Sequence, residues 1–421
     1  MKRLARIALC LGLAACPKPA PSGFGGPPGG GGVAGGGVRC GTSDKQYALR
    51  PAVNLPGEGD FAPIAVGDLN GDGKADIVGG HAGRNTPSRG IAVYLNQGNG
   101  SFAPMVKYPW HYDGMAYEIE LGDLDGDGDL DVVGMGEGAN GNPGYMLNNG
   151  DGTFSAAVAL PNGGESDGVM KVADFSGDGK LDIVVTDCCG VAVYLNAGDA
   201  KFGSPVQYKG EGDGLAVGDW NGDGRLDLAT YLVDDDVGYS NVFLWMNQRN
   251  GTFAEPTKAA LPTSREGKGV MHGLGAGDIN GDGKADIAVL STESYASDLY
   301  VLLGNGDGSF RPAAAYRMAD FGKDASTLTV ADLNNDKRAD VIVGNYATVV
   351  VFASTGDAMA PAWQVPAAPL GRAAYVGGGN EVAAADLTGS GVLSIVAGQP
   401  ASYGQQDPKN WAMSVLLGAC D

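Results

Sequence analysis

The sequence predicts an all-β protein, a seven-bladed β-propeller of four-stranded blades whose ring is closed by an N-terminal strand completing the last blade. Two observations predict it. An Asp-rich loop followed by a β-branched apolar run occurs seven times, with steps of 55, 51, 45, 59, 54 and 54 residues between leading Asp residues. A step near fifty marks a repeat whose units each hold several strands. The segments between loops are short apolar runs separated by Gly-containing turns, and with 72 Gly residues nothing reads as a long helix.

Residues 1–16 read as a targeting segment. Lys2, Arg3 and Arg6 precede a short apolar run, IALCLGLAA, that ends in small residues. Leu13-Ala14-Ala15-Cys16 resembles the bacterial lipobox, which makes Cys16 the expected site of lipidation; an ordinary cleaved signal peptide is the alternative. Nine apolar residues are too few to span a bilayer, whereas several acyl chains anchor stably. Residues 17–39, Pro- and then Gly-rich, read as a tether. Residues 40–421 then form the propeller.

Within each repeat an inner strand rich in small residues (FAPIAVGD, GVMKVAD, STLTVAD) leads into the loop. A buried strand such as ADIVGG or LDIVVT follows, then a third such as IAVYLN or VFLWMN. A tight turn (NNGDGTF, GNGDGSF) and a more polar fourth strand complete the unit. The last repeat ends in its third strand, and Gln46–Pro56 near the start resembles a fourth strand lacking a third, so the two are expected to pair. Cys40 and Cys420 flank that closure, and a bond between them would lock a loop of 380 residues. Cys188 and Cys189 are adjacent, and a vicinal disulfide is the preferred expectation for them.

The loops carry the chemistry. The first five read D-x-[DNS]-x-D-G-x-x-D, with oxygen ligands at positions 1, 3, 5 and 9 and a backbone carbonyl at 7. Such a segment can wrap one hard cation that takes six to eight oxygens, and Gly at position 6 permits the sharp turn. The expected sets are Asp68, Asn70, Asp72, Lys74 and Asp76; Asp123, Asp125, Asp127, Asp129 and Asp131; Asp174, Ser176, Asp178, Lys180 and Asp182; Asp219, Asn221, Asp223, Arg225 and Asp227; and Asp278, Asn280, Asp282, Lys284 and Asp286. A sixth set, Asp332, Asn334, Asp336, Arg338 and Asp340, has Lys337 in place of the position-6 Gly and is expected to bind weakly or not at all. The seventh keeps only Asp386 and is expected to hold no ion. Solvated Asx turns are the bland alternative, but repetition favours Ca2+, and magnesium fits worse because it prefers water and strict octahedral geometry. An EF-hand is rejected: position 12 is Gly79, Gly134, Val185, Thr230, Val289 or Val343 rather than Glu, and a strand follows each loop.

These loops resemble the FG-GAP (VCBS-type) repeats of the integrin alpha-subunit head and of many bacterial secreted proteins. The resemblance spans about Tyr47 to Leu417. It implies a seven-bladed propeller with calcium between the first two strands of a blade. It does not fix function, because the fold hosts adhesins, lectins and lyases.

Formal charge is −21, or −24 without Lys2, Arg3 and Arg6, and 19 of the carboxylates stand at positions 1, 3, 5 and 9 of six loops. Nucleic acid is therefore not an expected partner, and the membrane is reached through the anchor alone. Clustered carboxylates repel one another without ions, so folding and metal binding should be linked.

Loops on the opposite face vary in length, and binding residues concentrate on loops of a rigid scaffold. Candidates there are His81, Arg84, Arg89, Trp110, His111, Tyr112, Glu137, Asp234, Asp235, Tyr239, His272, Tyr295, Tyr346, Tyr403 and Trp411, with packing between blades the alternative for each aromatic. No Ser-His-Asp spacing, nucleophile elbow, phosphate loop or zinc spacing occurs. The expected function is a lipid-anchored, calcium-binding adhesion or binding module of the bacterial cell envelope, probing protein or glycan ligands as a monomer. The alternatives are a lectin-like propeller and a polysaccharide lyase or hydrolase.

Overall fold

The computed structural model of the chain describes residues 33–41, 45–50, 53–56, 60–82, 90–98, 100–110, 116–136, 143–161, 168–187, 190–210, 212, 214–234, 239–259, 269–293, 296–318, 325–345, 348–360, 363–366, 382–398 and 412–420. The expected lipidation site Cys16 and the pair Cys188 and Cys189 lie outside them.

Seven four-stranded antiparallel sheets form the ring. Blade 1 runs outward through Asp60–Gly67, Asp76–Ala82, Gly90–Tyr94 and Val106–Pro109. Blades 2 to 6 repeat this order, with inner strands Ala116–Gly122, Met170–Ala173, Gly214–Gly218, Gly269–Gly277 and Ala325–Ala331. Their second strands begin at the ninth loop positions Asp131, Asp182, Asp227, Asp286 and Asp340. Blade 7 joins Val382–Ala385, Ser394–Ala397 and Ala412–Leu416 to Val53–Pro56 from the other chain end.

The second and third strands are apolar on both sides because each blade is covered on two faces. One hydrophobic cluster fills every seam. Leu55, Met413 and Ile77 join blade 7 to blade 1, and Ile342, Val351 and Ile395 join blade 6 to blade 7. Five further clusters fill the seams between. The fourth strands are largely exposed, as in the pattern of Val206–Lys209.

Two details differ from the sequence expectation. Only Val53–Pro56 serves as the fourth strand; Gln46–Leu49 belongs to a separate three-stranded sheet with Val33–Arg39 and Gly418–Cys420. Val33–Arg39, inside the segment expected as tether, is thus a strand. In the other blades a small hairpin follows the third strand, as where Asn96 pairs with Phe102. In blade 7 Gly418 pairs with Leu49 instead, so two chain ends rebuild that hairpin. Cys40 and Cys420 are disulfide-bonded across it, 380 residues apart in sequence.

Candidate metal loops and binding faces

Every Asp-rich loop joins the first strand of its blade to the second, and its own side chains shape the turn. In blade 3, Asp174 Oδ1 accepts the N–H groups of Gly177 and Asp178 at 2.7 and 3.1 Å, and Oδ2 accepts that of Gly179 at 2.8 Å. Gly177 and Gly179 have φ of 74° and 85°, a conformation that favours Gly. The sixth loop keeps this shape without Gly: Asn335 and Lys337 adopt φ of 59° and 70°, and the Lys337 N–H reaches Asp332 at 2.7 Å.

The ninth Asp does more than offer a metal ligand. Asp131 is fully buried, and its two oxygens accept the N–H groups of Leu124 and Asn148, both at 2.8 Å. It therefore ties the loop to the end of the third strand. Asp76, Asp182, Asp227, Asp286 and Asp340 repeat the bracket, for example with Leu333 at 3.1 Å and Ser354 at 2.8 Å for Asp340. Burial pushes Asp131, Asp227 and Asp286 up to about 6 and Asp340 up to about 7, against the pull of the N–H donors.

The Asn that receives this bracket also reaches sideways. Asn148 Nδ2 donates to Leu69 O of the preceding blade's loop at 2.8 Å, and Asn196 and Asn247 do the same to Leu124 O and Phe175 O at 2.7 and 2.9 Å. Asn96 closes onto Leu387 O of blade 7 at 3.0 Å. Each loop is thus clasped by the next blade. The recurring Asn of YLN, MLN and WMN was the sequence signal for this role.

The five cationic position-7 side chains cover the position-5 carboxylates. Lys74 lies 2.5 Å from Asp72 and Lys180 2.5 Å from Asp178, while Arg225 pairs with Asp223, Lys284 with Asp282 and Arg338 with Asp336. The hydrogen bond from Lys74 holds Asp72 below the usual carboxylate range, and Lys180 does the same for Asp178. Blade 2 differs, since its position 7 is Asp129. There Asp123, Asp125 and Asp131 each present an oxygen within 4.8 Å of the others, the one such group among the described residues. Burial first, then the charges of Asp127 and Asp123, pushes Asp125 up. An all-oxygen set of this kind suits a hard cation.

A model of the FG-GAP-like repeat matches residues 68–134, 123–185, 174–230, 231–289, 278–343 and 332–397. The chain belongs to the FG-GAP-like repeat family. Repeats of this family often bind calcium. Among solved structures this FG-GAP-like propeller is similar to a lectin of Agrocybe aegerita described for specific recognition of non-reducing terminal N-acetylglucosamine. Identity there is 22%, the match covers 77% of this chain and 88% of the lectin, and the TM-score is 0.56. It is also similar to BBS1N in complex with ARL6DN, at 12% identity, 88% and 96% coverage and a TM-score of 0.53. At such identities the likeness shows the fold. No curated protein sequence matches the chain.

The opposite face of the FG-GAP-like ring holds one correction. Trp110, expected as a ligand-face aromatic, is 3% exposed and packs between blades 1 and 2, against Gly134. Gly there leaves the room that the indole fills. His81, Asp234, Tyr239 and His272 lie on strands, with Asp234 and Tyr239 paired across the second and third strands of blade 4. Arg84, Arg89, His111, Tyr112, Glu137, Asp235, Tyr295, Tyr346, Tyr403 and Trp411 lie outside the described residues. Among the described residues no helix is long and apolar enough to cross a membrane.

Proposed function

We propose that this chain is a lipid-anchored, calcium-binding propeller of the bacterial cell envelope that binds glycan or protein ligands and is not itself an enzyme. The observation that carries the metal reading is the blade 2 loop, where Asp123, Asp125 and Asp131 converge without a neighbouring cation at position 7. Asp127 and the Asp129 carbonyl would complete the oxygen set, and the ion would supply charge neutralisation rather than reaction chemistry. The other four regular loops would bind after their position-5 carboxylates exchange Lys or Arg for the ion. Extracellular modules of this type work at ~10⁻⁴–10⁻³ M calcium, which suits the exported location read from residues 1–16.

Glycan is the favoured ligand class, because the Agrocybe aegerita lectin of similar fold recognises terminal N-acetylglucosamine. A glycan array probed with the purified chain, with and without calcium, tests this reading. Binding that calcium strengthens supports it; no glycan bound in either condition leaves a protein ligand as the surviving version. Release of products from polysaccharides would overturn the non-enzymatic assignment. Metal content and melting temperature that ignore a chelator would overturn the calcium assignment.

A further inference from the structure

Among blades 1 to 6, whose hairpins are made by unbroken chain, one seam departs from the rest. At the hairpin after the third strand, Phe102, Phe154, Phe202, Phe253 and Phe310 occupy equivalent paired positions in blades 1 to 5. Blade 6 has Met359 there, and its paired residues Ser354 and Met359 are five apart rather than the six of Gly304 and Phe310. The aromatic ring matters to the seam. Tyr208 of blade 3 meets Phe253 of blade 4 edge-on at 5.9 Å, and Tyr108 of blade 1 meets Phe154 of blade 2 at 5.4 Å. In blade 5 Tyr316 accepts the Met359 N–H at 3.2 Å, just as Tyr208 accepts that of Phe253 at 3.2 Å. The hydrogen bond is kept and the hairpin ring is gone, leaving Tyr316 tilted against Phe352 of the blade 6 third strand at 6.4 Å.

A cavity of about 190 Å³ lies there, walled by Ile279, Leu303, Tyr316 and Met359 and edged by Arg311 and Asp357. Arg311 is also peculiar to this seam. Its N–H donates to Leu303 O in the position where Ala103, Ser155, Ala254 and Ala360 bond in other blades. A long cation has replaced small residues where the ring was lost. Arg311 Nη1 donates to Asp357 Oδ1 at 2.8 Å, and Nη2 stands 3.6 Å from Asp282 of the blade 5 loop.

We propose that this cleft between blades 5 and 6 is a binding site for a single neutral sugar ring, an assignment that rests on the glycan-binding reading above. Arg311 and Asp357 set a donor beside an acceptor, which complements two adjacent hydroxyls that each give and take a hydrogen bond. Their pair is exposed, so a sugar can join it at little cost. The walls of Ile279, Leu303, Met359 and the Tyr316 ring meet the apolar C–H face of the pyranose. The volume is below the roughly 300–1,000 Å³ of sites for larger ligands, which selects one ring rather than a chain.

Saturation-transfer NMR on the full chain, with N-acetylglucosamine, galactose and mannose as probes and glucuronic acid as the anionic control, tests the site. A neutral sugar should bind the wild type, and Arg311→Ala should weaken it about ten-fold through the lost donor. Met359→Phe should abolish the signal by restoring the ring that blades 1 to 5 carry at this position, with a melting temperature no lower than wild type. Unchanged binding in both variants would overturn the site while leaving glycan binding elsewhere on the protein. Preference for glucuronic acid would overturn the neutral-sugar chemistry. No sugar bound by the wild type, at this cleft or on the array, would overturn the site and the glycan reading together.

Discussion

Blades 2 and 7 build the same corner from different materials. In blade 2 the loop carries five carboxylates, Asp123 to Asp131 at alternate positions, and an unbroken chain makes the hairpin behind it. In blade 7 Asp386 alone remains, accepting the N–H groups of Thr388, Ser390 and Gly391 at 3.1, 3.1 and 2.7 Å. Ser394 takes the ninth place, its hydroxyl accepting Gly418 N–H at 3.1 Å. Two chain ends joined by Cys40–Cys420 replace the hairpin. The difference teaches that the turn is a hydrogen-bonded object in its own right. The position-5 carboxylates, with Asp125 at position 3 of blade 2, are an addition to it, whereas the ninth Asp adds a bracket to the third strand.

The sharpest way to break the comparison is to cut the covalent substitute in blade 7. Cys40→Ser with Cys420→Ser removes a cross-link closing 380 residues, for which chain entropy gives about 6 kcal/mol as an upper figure. Denaturant unfolding of the variant should show a larger loss than any single substitution in the loops. A midpoint unchanged from wild type would mean that packing of Leu49, Tyr47 and Leu416 closes the ring unaided.

The ninth position comes next. Asp340→Ala leaves two buried N–H groups without acceptors, at about 1–3 kcal/mol each, whereas Ser394→Ala leaves one. Equal losses would show that the carboxylate bracket adds nothing over a hydroxyl. Asp340 also sets a pH slope. Its pKa is raised from 3.8 to about 7, chiefly by burial, so between those values the folded state holds a proton that the unfolded state has released. Stability of the metal-free chain should therefore fall as pH rises through that window, with the cost complete above about 7. Asp340→Asn, which cannot ionise, should remove the fall between about pH 6 and 7 in melting curves taken from pH 4 to 8, leaving below it the fall set by Asp131, Asp227 and Asp286.

Calcium should act on blade 2 and spare blade 7. At 10 mM ion and a dissociation constant of ~10⁻⁴–10⁻³ M, one site adds roughly 1.4–2.7 kcal/mol. Asp123→Asn with Asp125→Asn should remove part of the calcium-induced rise in melting temperature; Thr388→Ala with Ser390→Ala should leave it intact. The same shift lost from both variants would mean the ion does not distinguish the loops.

The ring, its blades and its closure were legible because period, strand pattern and unpaired chain ends are sequence properties. The Cys40–Cys420 bond followed from the same logic. What escaped depends on where side chains end up in space. Trp110 stood in a polar, aromatic stretch that reads as a surface cluster, yet Gly134 on the neighbouring blade opened a slot for it. Asp131 reads as a ligand because the motif counts oxygens, whereas its bracket requires knowing that Asn148 N–H arrives from the third strand. The cleft beside Arg311 is a deletion relative to other seams, and a missing ring has no letter of its own.

The smallest effect separates backbone shape from charge most cleanly. Lys337 adopts φ of 70° at the position where blade 7 has Gly391 at 80°. A side chain in that region costs ~1–2 kcal/mol, part of which Gly returns through its freer unfolded chain, so Lys337→Gly should stabilise by about 0.5–1 kcal/mol. Gly391→Lys should do the reverse, from backbone strain alone, since a Cβ there meets nothing within 4 Å. Both changes keep Asp332 and Asp386 in place as acceptors of the loop N–H groups. If urea unfolding of the two variants moves in opposite directions by similar amounts, the sixth loop carries strain that the seventh lacks. If Lys337→Gly destabilises, the lysine side chain makes a contribution outweighing its backbone, and the equivalence of the two turns fails.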